Sequence, residues 1–285
     1  MIKHLLFFLM SLQTLFPHQT KVKSAVFNSI RAQSFTDVPY GADRYQKMDI
    51  YLPAGRNTTN TKFIVMIHGG GWTSGDKSQF NGYVDTIKRR MPDYAIFNIN
   101  YRLSTGSTNT FPAQEMDIRS AIEFIAGRTN EYNISRQMVL MGASAGAHLA
   151  LLQGYKYERP IKAQAIIDFF GPSDLTVLYN HPSLSVPPMA IAFVIGTTPT
   201  ANPKLYNESS PINFVDEQSP PTIIFQGGAD RLVSPSQSSL LRDKLESLGV
   251  IHDYVFYPKE GHGWYGPSIM DSFNKLQAFL RANVK

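Results

Sequence analysis

The chain has 285 residues, enough to bury about three quarters of its unfolded surface in one α/β domain without covalent staples. Hydrophobic residues make up 43% and charged residues 17%, which excludes a disordered chain; the lack of cysteine excludes a disulfide framework, thiol catalysis and thiolate metal sites. The net charge of +5 gathers partly in residues 1–36, where Lys3, Lys21, Lys23 and Arg31 stand with no acid, and with no basic run or basic helix face elsewhere no nucleic-acid partner is expected.

Residues 5–16 (LLFFLMSLQTLF) are mostly apolar, follow Lys3 and stop at Pro17. The stretch is short of the roughly 20 residues of a spanning helix and fits the apolar region of an export signal. Val22-Lys23-Ser24 before Ala25 is the best small-x-small cleavage match. We therefore expect a signal peptide over 1–24, an exported (periplasmic or secreted) product, one domain over 25–285 and no stable membrane insertion. A helix packed on the fold, or an uncleaved anchor, would use the same residues.

Along the remaining chain, residues 45–52 alternate with Met48, Ile50 and Leu52 on one face, as in an outer strand. Residues 62–67 (KFIVMI) form a short apolar run stopped by glycines, the pattern of a buried strand. A helix over 79–91 ends at Pro92, and a strand follows over 94–100. Ile118, Ala121, Ile122 and Ile125 recur at helical spacing over 113–127. Strand 137–141 leads into a small-residue helix over 145–154, and 163–169 is again a strand. Residues 171–215 are proline-rich and read as irregular, an excursion over one end of the sheet. Strand 221–226 precedes a helix opened by Ser234-Pro235 and closed by Gly249. Strand 251–257 and helix 268–282 end the chain. Alternating strands and helices predict an α/β fold, with a mainly parallel sheet flanked by helices on both faces. Chemistry then belongs in the loops beyond the strands' carboxyl ends.

Three of those loops carry the residues that chemistry needs. Gly142-Ala143-Ser144-Ala145-Gly146 stands between a strand and a helix and matches G-x-S-x-G, whose tight turn lifts a serine hydroxyl over the sheet edge. His68-Gly69-Gly70-Gly71-Trp72 follows another strand, and its glycines let backbone N–H groups approach a ligand. Gly69, Gly70 and Ala145 are the expected oxyanion-hole donors, with His68 bracing the loop. No phosphate-loop or dinucleotide context accompanies the glycines. A serine nucleophile needs a base and an orienting acid. Asp230, in GGADRLV, and His262, in EGHGW, each follow a strand, in the chain order Ser, Asp, His. His148, His181, His252, Asp174 and Glu260 are weaker rivals by position. Trp72, Tyr101 and Trp264, with Tyr265, are candidate pocket residues for sugar or phenolic groups, although aromatics also simply pack.

These motifs resemble the α/β-hydrolase family over residues 40–285. HGGGW with GASAG, the Tyr101-Arg102-Leu103 run and the stretch over 202–212 are similar to the esterase and lipase branch. That branch includes hormone-sensitive-lipase-like enzymes, and HGGGWTSGDKS (68–78) is similar to bacterial xylan acetyl- and feruloyl-esterases. The resemblance implies an α/β-hydrolase fold with a minimal cap and an open site. It implies a serine esterase acting on short-chain carboxylic esters, small or polysaccharide-linked, with no metal or cofactor. The residues leave two alternatives open: an amidase or formamidase with the same triad, and a hydrolase fold used only for binding.

Overall fold

Runs of branched and aromatic residues too short to make helices become strands, and the polar or glycine-rich segments between them turn the chain. The computed structural model describes residues 30–182 and 185–285, so the expected signal peptide lies outside the described residues. In chain order the elements are β1 (Gln33–Pro39), β2 (Lys47–Leu52), β3 (Lys62–Ile67), α1 (Asn81–Arg90), β4 (Tyr94–Ile99), α2 (Ala113–Ala126), α3 (Thr129–Tyr132), β5 (Met138–Ala143) and α4 (Ala145–Lys156). Then come β6 (Ala163–Phe169), α5 (Leu175–Asn180), α6 (Pro188–Ile195), α7 (Pro203–Glu208), β7 (Thr222–Gly227), α8 (Pro235–Ser247), β8 (His252–Tyr257) and α9 (Gly266–Asn283). Short 3₁₀ turns occupy Lys77–Phe80 and Pro211–Phe214.

The strands form one eight-stranded sheet in the order β1-β2-β4-β3-β5-β6-β7-β8. The β1-β2 and β2-β4 pairs are antiparallel and every other pair is parallel. From β3 the chain moves to β4 on one side and then to β5 on the other. The strand order therefore reverses between β3 and β5, and a crevice opens beyond their carboxyl ends. The HGGGW loop leaves β3 there, and the serine turn leaves β5.

Along β3, Phe63, Val65 and Ile67 pack on one face of the sheet and Ile64 and Met66 on the other. The first face is covered by α2, α4 and α8 through Ile118, Ile122, Leu149, Leu152, Leu241 and Leu245. The second is covered by α1 and α9 through Val84, Ile87, Phe273, Leu276, Phe279 and Leu280. Among the described residues no helix is long and apolar enough to cross a membrane.

Two elements depart from the sequence reading. Strand β1 was not expected, because QSFTDVP is mostly exposed and its partnership comes from β2 alone. The segment over 171–215 is not irregular: it contains α5, α6, α7 and a 3₁₀ turn. Its prolines start helices, with Pro188, Pro203 and Pro211 in the first turn, where a missing N–H costs nothing. Asp174 caps α5 by accepting from Val177 N at 2.9 Å, and Asn202 caps α7 by accepting from Leu205 N at 3.0 Å.

Candidate active site

Ser144 sits between β5 and α4 at φ 55° and ψ −121°, a strained backbone for serine. Its N–H donates to Phe169 O at 2.8 Å, and its carbonyl accepts from His148 N at 3.0 Å. The flanking glycines are required by space. A Cβ on Gly142 would lie 2.3 Å from the Gly146 carbonyl, and one on Gly146 would lie 2.0 Å from Ile67 O. The N-terminus of α4 is thereby pressed against the end of β3.

The loop leaving β3 lies on this turn. A Cβ on Gly69 would stand 3.0 Å from Ala143 O and 3.3 Å from Ser144 Cβ. Gly70 has φ 111°, and its carbonyl accepts from Thr73 N and Ser74 N at 3.1 and 3.0 Å, closing the loop on itself. Among the described residues, the N–H groups of Gly69, Gly70 and Ala145 donate no backbone hydrogen bond. Uncommitted donors beside a hydroxyl, one of them at a helix N-terminus, are the arrangement that stabilises a developing oxyanion.

Support for this loop comes from groups that sequence reasoning placed elsewhere or missed. Tyr101 was expected in the pocket, but it is completely buried. Its hydroxyl donates to His68 O at 3.0 Å, and its ring stacks on His68 at 4.3 Å. His68 Nδ1 donates to Gly69 O at 2.7 Å, which matches its bracing role, and burial pushes its pKa down. Further along, Asp76 caps the 3₁₀ turn by accepting from Ser78 N at 2.8 Å. Burial would raise the Asp76 pKa, but donors from Asn100 and Ser78 overcome this and hold it at about 2. Lys77 reaches back to Asp37 and Asp49, both at 3.0 Å. The GDKS run thus ties the glycine loop to β1 and β2.

On the other side of the crevice, Asp230 follows β7 and His262 follows β8. His262 Nδ1 donates to Asp230 Oδ2 at 2.8 Å, which leaves Nε2 as the free nitrogen of a neutral ring. Asp230 Oδ1 accepts from Leu232 N at 2.8 Å and Val233 N at 3.0 Å. Gln226 Nε2 reaches Asp230 Oδ2 at 3.3 Å, while its Oε1 accepts from Ser238 Oγ at 2.7 Å. Gln226 was missed, although a glutamine inside the apolar run TIIFQG was a visible signal of a committed buried amide. Ser144 and His262 line one cleft together with Gly69, Gly70, Trp72 and the apolar Leu178, Val186 and Ile191. Among the described residues no hydrogen bond joins the Ser144 hydroxyl to His262, a contact that commonly tightens only with substrate bound.

The remaining expectations divide. Trp72 lines the cleft, with its indole N–H donating to His148 Nδ1 at 3.2 Å. An indole can only donate, so His148 carries its proton on Nε2, which donates to Ser209 O at 2.7 Å. Burial pushes the His148 pKa down to about 4, and the residue is a structural post. Trp264 does not reach the cleft: it is buried, donates to Ser272 Oγ at 2.9 Å and lines a separate chamber. Tyr265 is 85% exposed. Of the rival acids, Asp174 is committed as a helix cap and Glu260 accepts from Ser268 Oγ at 2.6 Å.

The family model BD-FAE matches residues 48–245, more than half of the chain. The chain belongs to the BD-FAE family. Its BD-FAE match spans the glycine loop, Ser144 and Asp230, and ends before His262. The chain is similar to Esterase LipQ of Mycobacterium tuberculosis, 26% identical over 82% of this chain and 58% of that protein. It is also similar to the probable carboxylic ester hydrolase LipM of the same organism, 27% identical over 74% of this chain and 52% of that one. This BD-FAE chain therefore spans about half the length of the curated relatives it matches. A solved structure described as a bifunctional GH43-CE of Bacteroides eggerthii superposes with a TM-score of 0.72 at 25% identity, covering 86% of this chain and 38% of that one.

Proposed function

We propose that this BD-FAE family chain is a serine hydrolase that cleaves short-chain carboxylic esters through an acyl-enzyme. The observation that carries the reading is the meeting, in one cleft, of a serine on a strained strand-to-helix turn, a histidine held by a carboxylate at 2.8 Å and the Gly69 and Gly70 backbone, with the Gly69, Gly70 and Ala145 N–H groups donating no backbone hydrogen bond among the described residues. Two similar proteins named esterase and carboxylic ester hydrolase support an ester as the bond cleaved, while others named dipeptidyl aminopeptidase and kynurenine formamidase-like hydrolase keep an amide as the second reading.

In the proposed reaction, Ser144 Oγ attacks the ester carbonyl carbon while His262 Nε2 takes the hydroxyl proton. The carbonyl oxygen becomes an oxyanion held by the N–H groups of Gly69, Gly70 and Ala145. Asp230 keeps the imidazole oriented and stabilises its cationic form. His262 then gives the proton to the departing alkoxide, and water activated by the same imidazole releases the acid. The apolar lining of Leu178, Val186, Ile191 and Val233 suits a small acyl or alkyl group. Acetyl or feruloyl esters on plant polysaccharide are the finer form of the proposal, with Trp72 as the aromatic residue beside the sugar or phenol. Export of the product belongs to the same proposal and rests on residues 5–16 alone.

Ser144→Ala tests the reading. Hydrolysis of p-nitrophenyl acetate should fall by about 10⁴- to 10⁶-fold, with an unchanged far-UV circular dichroism spectrum. Turnover that survives in the folded variant would remove Ser144 as the nucleophile. Faster release from formyl amides than from acetyl esters by the wild-type chain would transfer the reading to an amidase.

A further inference from the structure

A second space adjoins the cleft. On the sheet face covered by α1 and α9, a narrow apolar recess is walled by Phe80, Tyr83, Met141, Phe169, Trp264 and Phe273. Its walls are almost entirely carbon, and the Trp264 indole N–H is already committed to Ser272. Nothing in the catalytic cycle described above uses it.

Two residues line both the chamber and the cleft: Ala143, which precedes Ser144, and Phe170. A methyl group cannot swing aside, so the Phe170 ring is the movable part of the partition. That ring packs on His262 at 4.5 Å and edge-on to Trp264 at 5.4 Å. Its backbone is held at φ 48°, costly for a bulky side chain, with its N–H donating to Phe225 O at 2.8 Å. A strained residue thus holds an aromatic ring between the site of attack and an apolar recess, which loss of the ring would enlarge.

We propose that this chamber is a closed acyl subsite and that Phe170 is the residue that closes it. The ring confines the enzyme to short acyl groups, and a linear alkyl chain of medium length is the ligand the chamber takes once the ring is gone. The proposal rests on the ester-hydrolase reading of the cleft.

The test compares kcat/KM for p-nitrophenyl octanoate with that for p-nitrophenyl acetate in the full chain. Because Phe170 touches His262, the ratio is read and not the rate alone. Phe170→Ala should raise the octanoate-to-acetate ratio on the order of tenfold or more, the discrimination available from apolar contacts of a few methylenes. Phe170→Gly is the second variant; glycine accepts a positive φ without strain and should raise the ratio similarly. Adding Ile269→Phe, which fills the chamber from α9, to either variant should return the ratio to its wild-type value. A folded Phe170 variant that hydrolyses acetate with an unchanged ratio would overturn the gate and leave the esterase reading standing. A gain that persists in the Ile269→Phe background would also overturn it, since the chain would then be lodged elsewhere. A wild-type chain that hydrolyses neither ester would overturn the esterase reading itself, and the subsite with it.

Discussion

Single residues in this protein earn their identity from one or two contacts. Asp230 spends both oxygens on four donors, from Leu232, Val233, Gln226 and His262, so its orientation is overdetermined. Asp168 is the opposite case. It is fully buried on β6, with Oδ1 accepting from Gly171 N at 2.7 Å and Oδ2 without a partner among the described residues. Burial pushes its pKa up to about 7. Between the ordinary carboxylate value and about 7 the folded chain therefore holds a proton that the unfolded chain has lost, so this group's contribution to stability falls as pH rises through that window and levels off above it. His148 acts in the other direction: its pKa of about 4 makes stability fall as pH drops below the ordinary histidine value. Asp168→Asn should abolish the first dependence and leave the second. The Tm of the variant minus that of wild type should increase from pH 5 to pH 8, because His148 contributes alike to both. Equal differences at the two pH values would show that the carboxyl is not the buried acid described.

At the scale of elements, β2 was legible from its two-residue alternation, the buried central strands from short apolar runs and the long helices from 3.6-residue spacing, since burial enforces each pattern. Strand β1 was not legible, since an exposed edge strand needs no apolar alternation. The three short helices of the 171–215 segment were hidden for a different reason. Proline marks a break in an interior and a start in a first turn, as in α6 and α7, and only the Asn202 cap on α7 and the fold around α6 tell the two apart. The join between α4 and β3 is the tightest in the site. Gly146→Ala would drive a Cβ to 2.0 Å from Ile67 O, and since the backbone fixes the Cβ position and Ile67 O is itself backbone, neither can turn away. We expect a loss of about 1–3 kcal/mol, as for an overpacked core, seen as a lower Tm. Acetate hydrolysis should fall more than the Tm change explains, because the Ala145 N–H moves with the helix. Normal activity at normal Tm would mean that the α4 terminus does not need this approach.

For the molecule as a whole, one sheet carries two apolar layers, and the chain's only two tryptophans divide between them: Trp72 belongs to the α2–α4–α8 side and Trp264 to the α1–α9 side. If residues 25–285 form one domain, the layers cannot unfold separately, because each strand between them contributes to both. In Trp72→Phe the remaining fluorescence reports one layer, and in Trp264→Phe the other. In each variant the fluorescence midpoint in urea should coincide with the circular dichroism midpoint, even though each change removes a buried indole hydrogen bond and lowers stability. A fluorescence transition that precedes the dichroism change in either variant would divide the fold into two units.

By itself the sequence marked the main strands and helices, the glycine-rich loops and the candidates Ser144, Asp230 and His262, because patterning and local turn chemistry are short-range properties written in neighbouring letters. The tertiary structure alone decided which aromatics meet the cleft. Trp72, Tyr101 and Trp264 look alike as large residues near motifs, yet one lines the cleft, one is sealed under the glycine loop and one faces another chamber. That choice depends on which loops from distant strands cross the same edge of the sheet, and on which polar atom each ring finds there, so no local pattern encodes it.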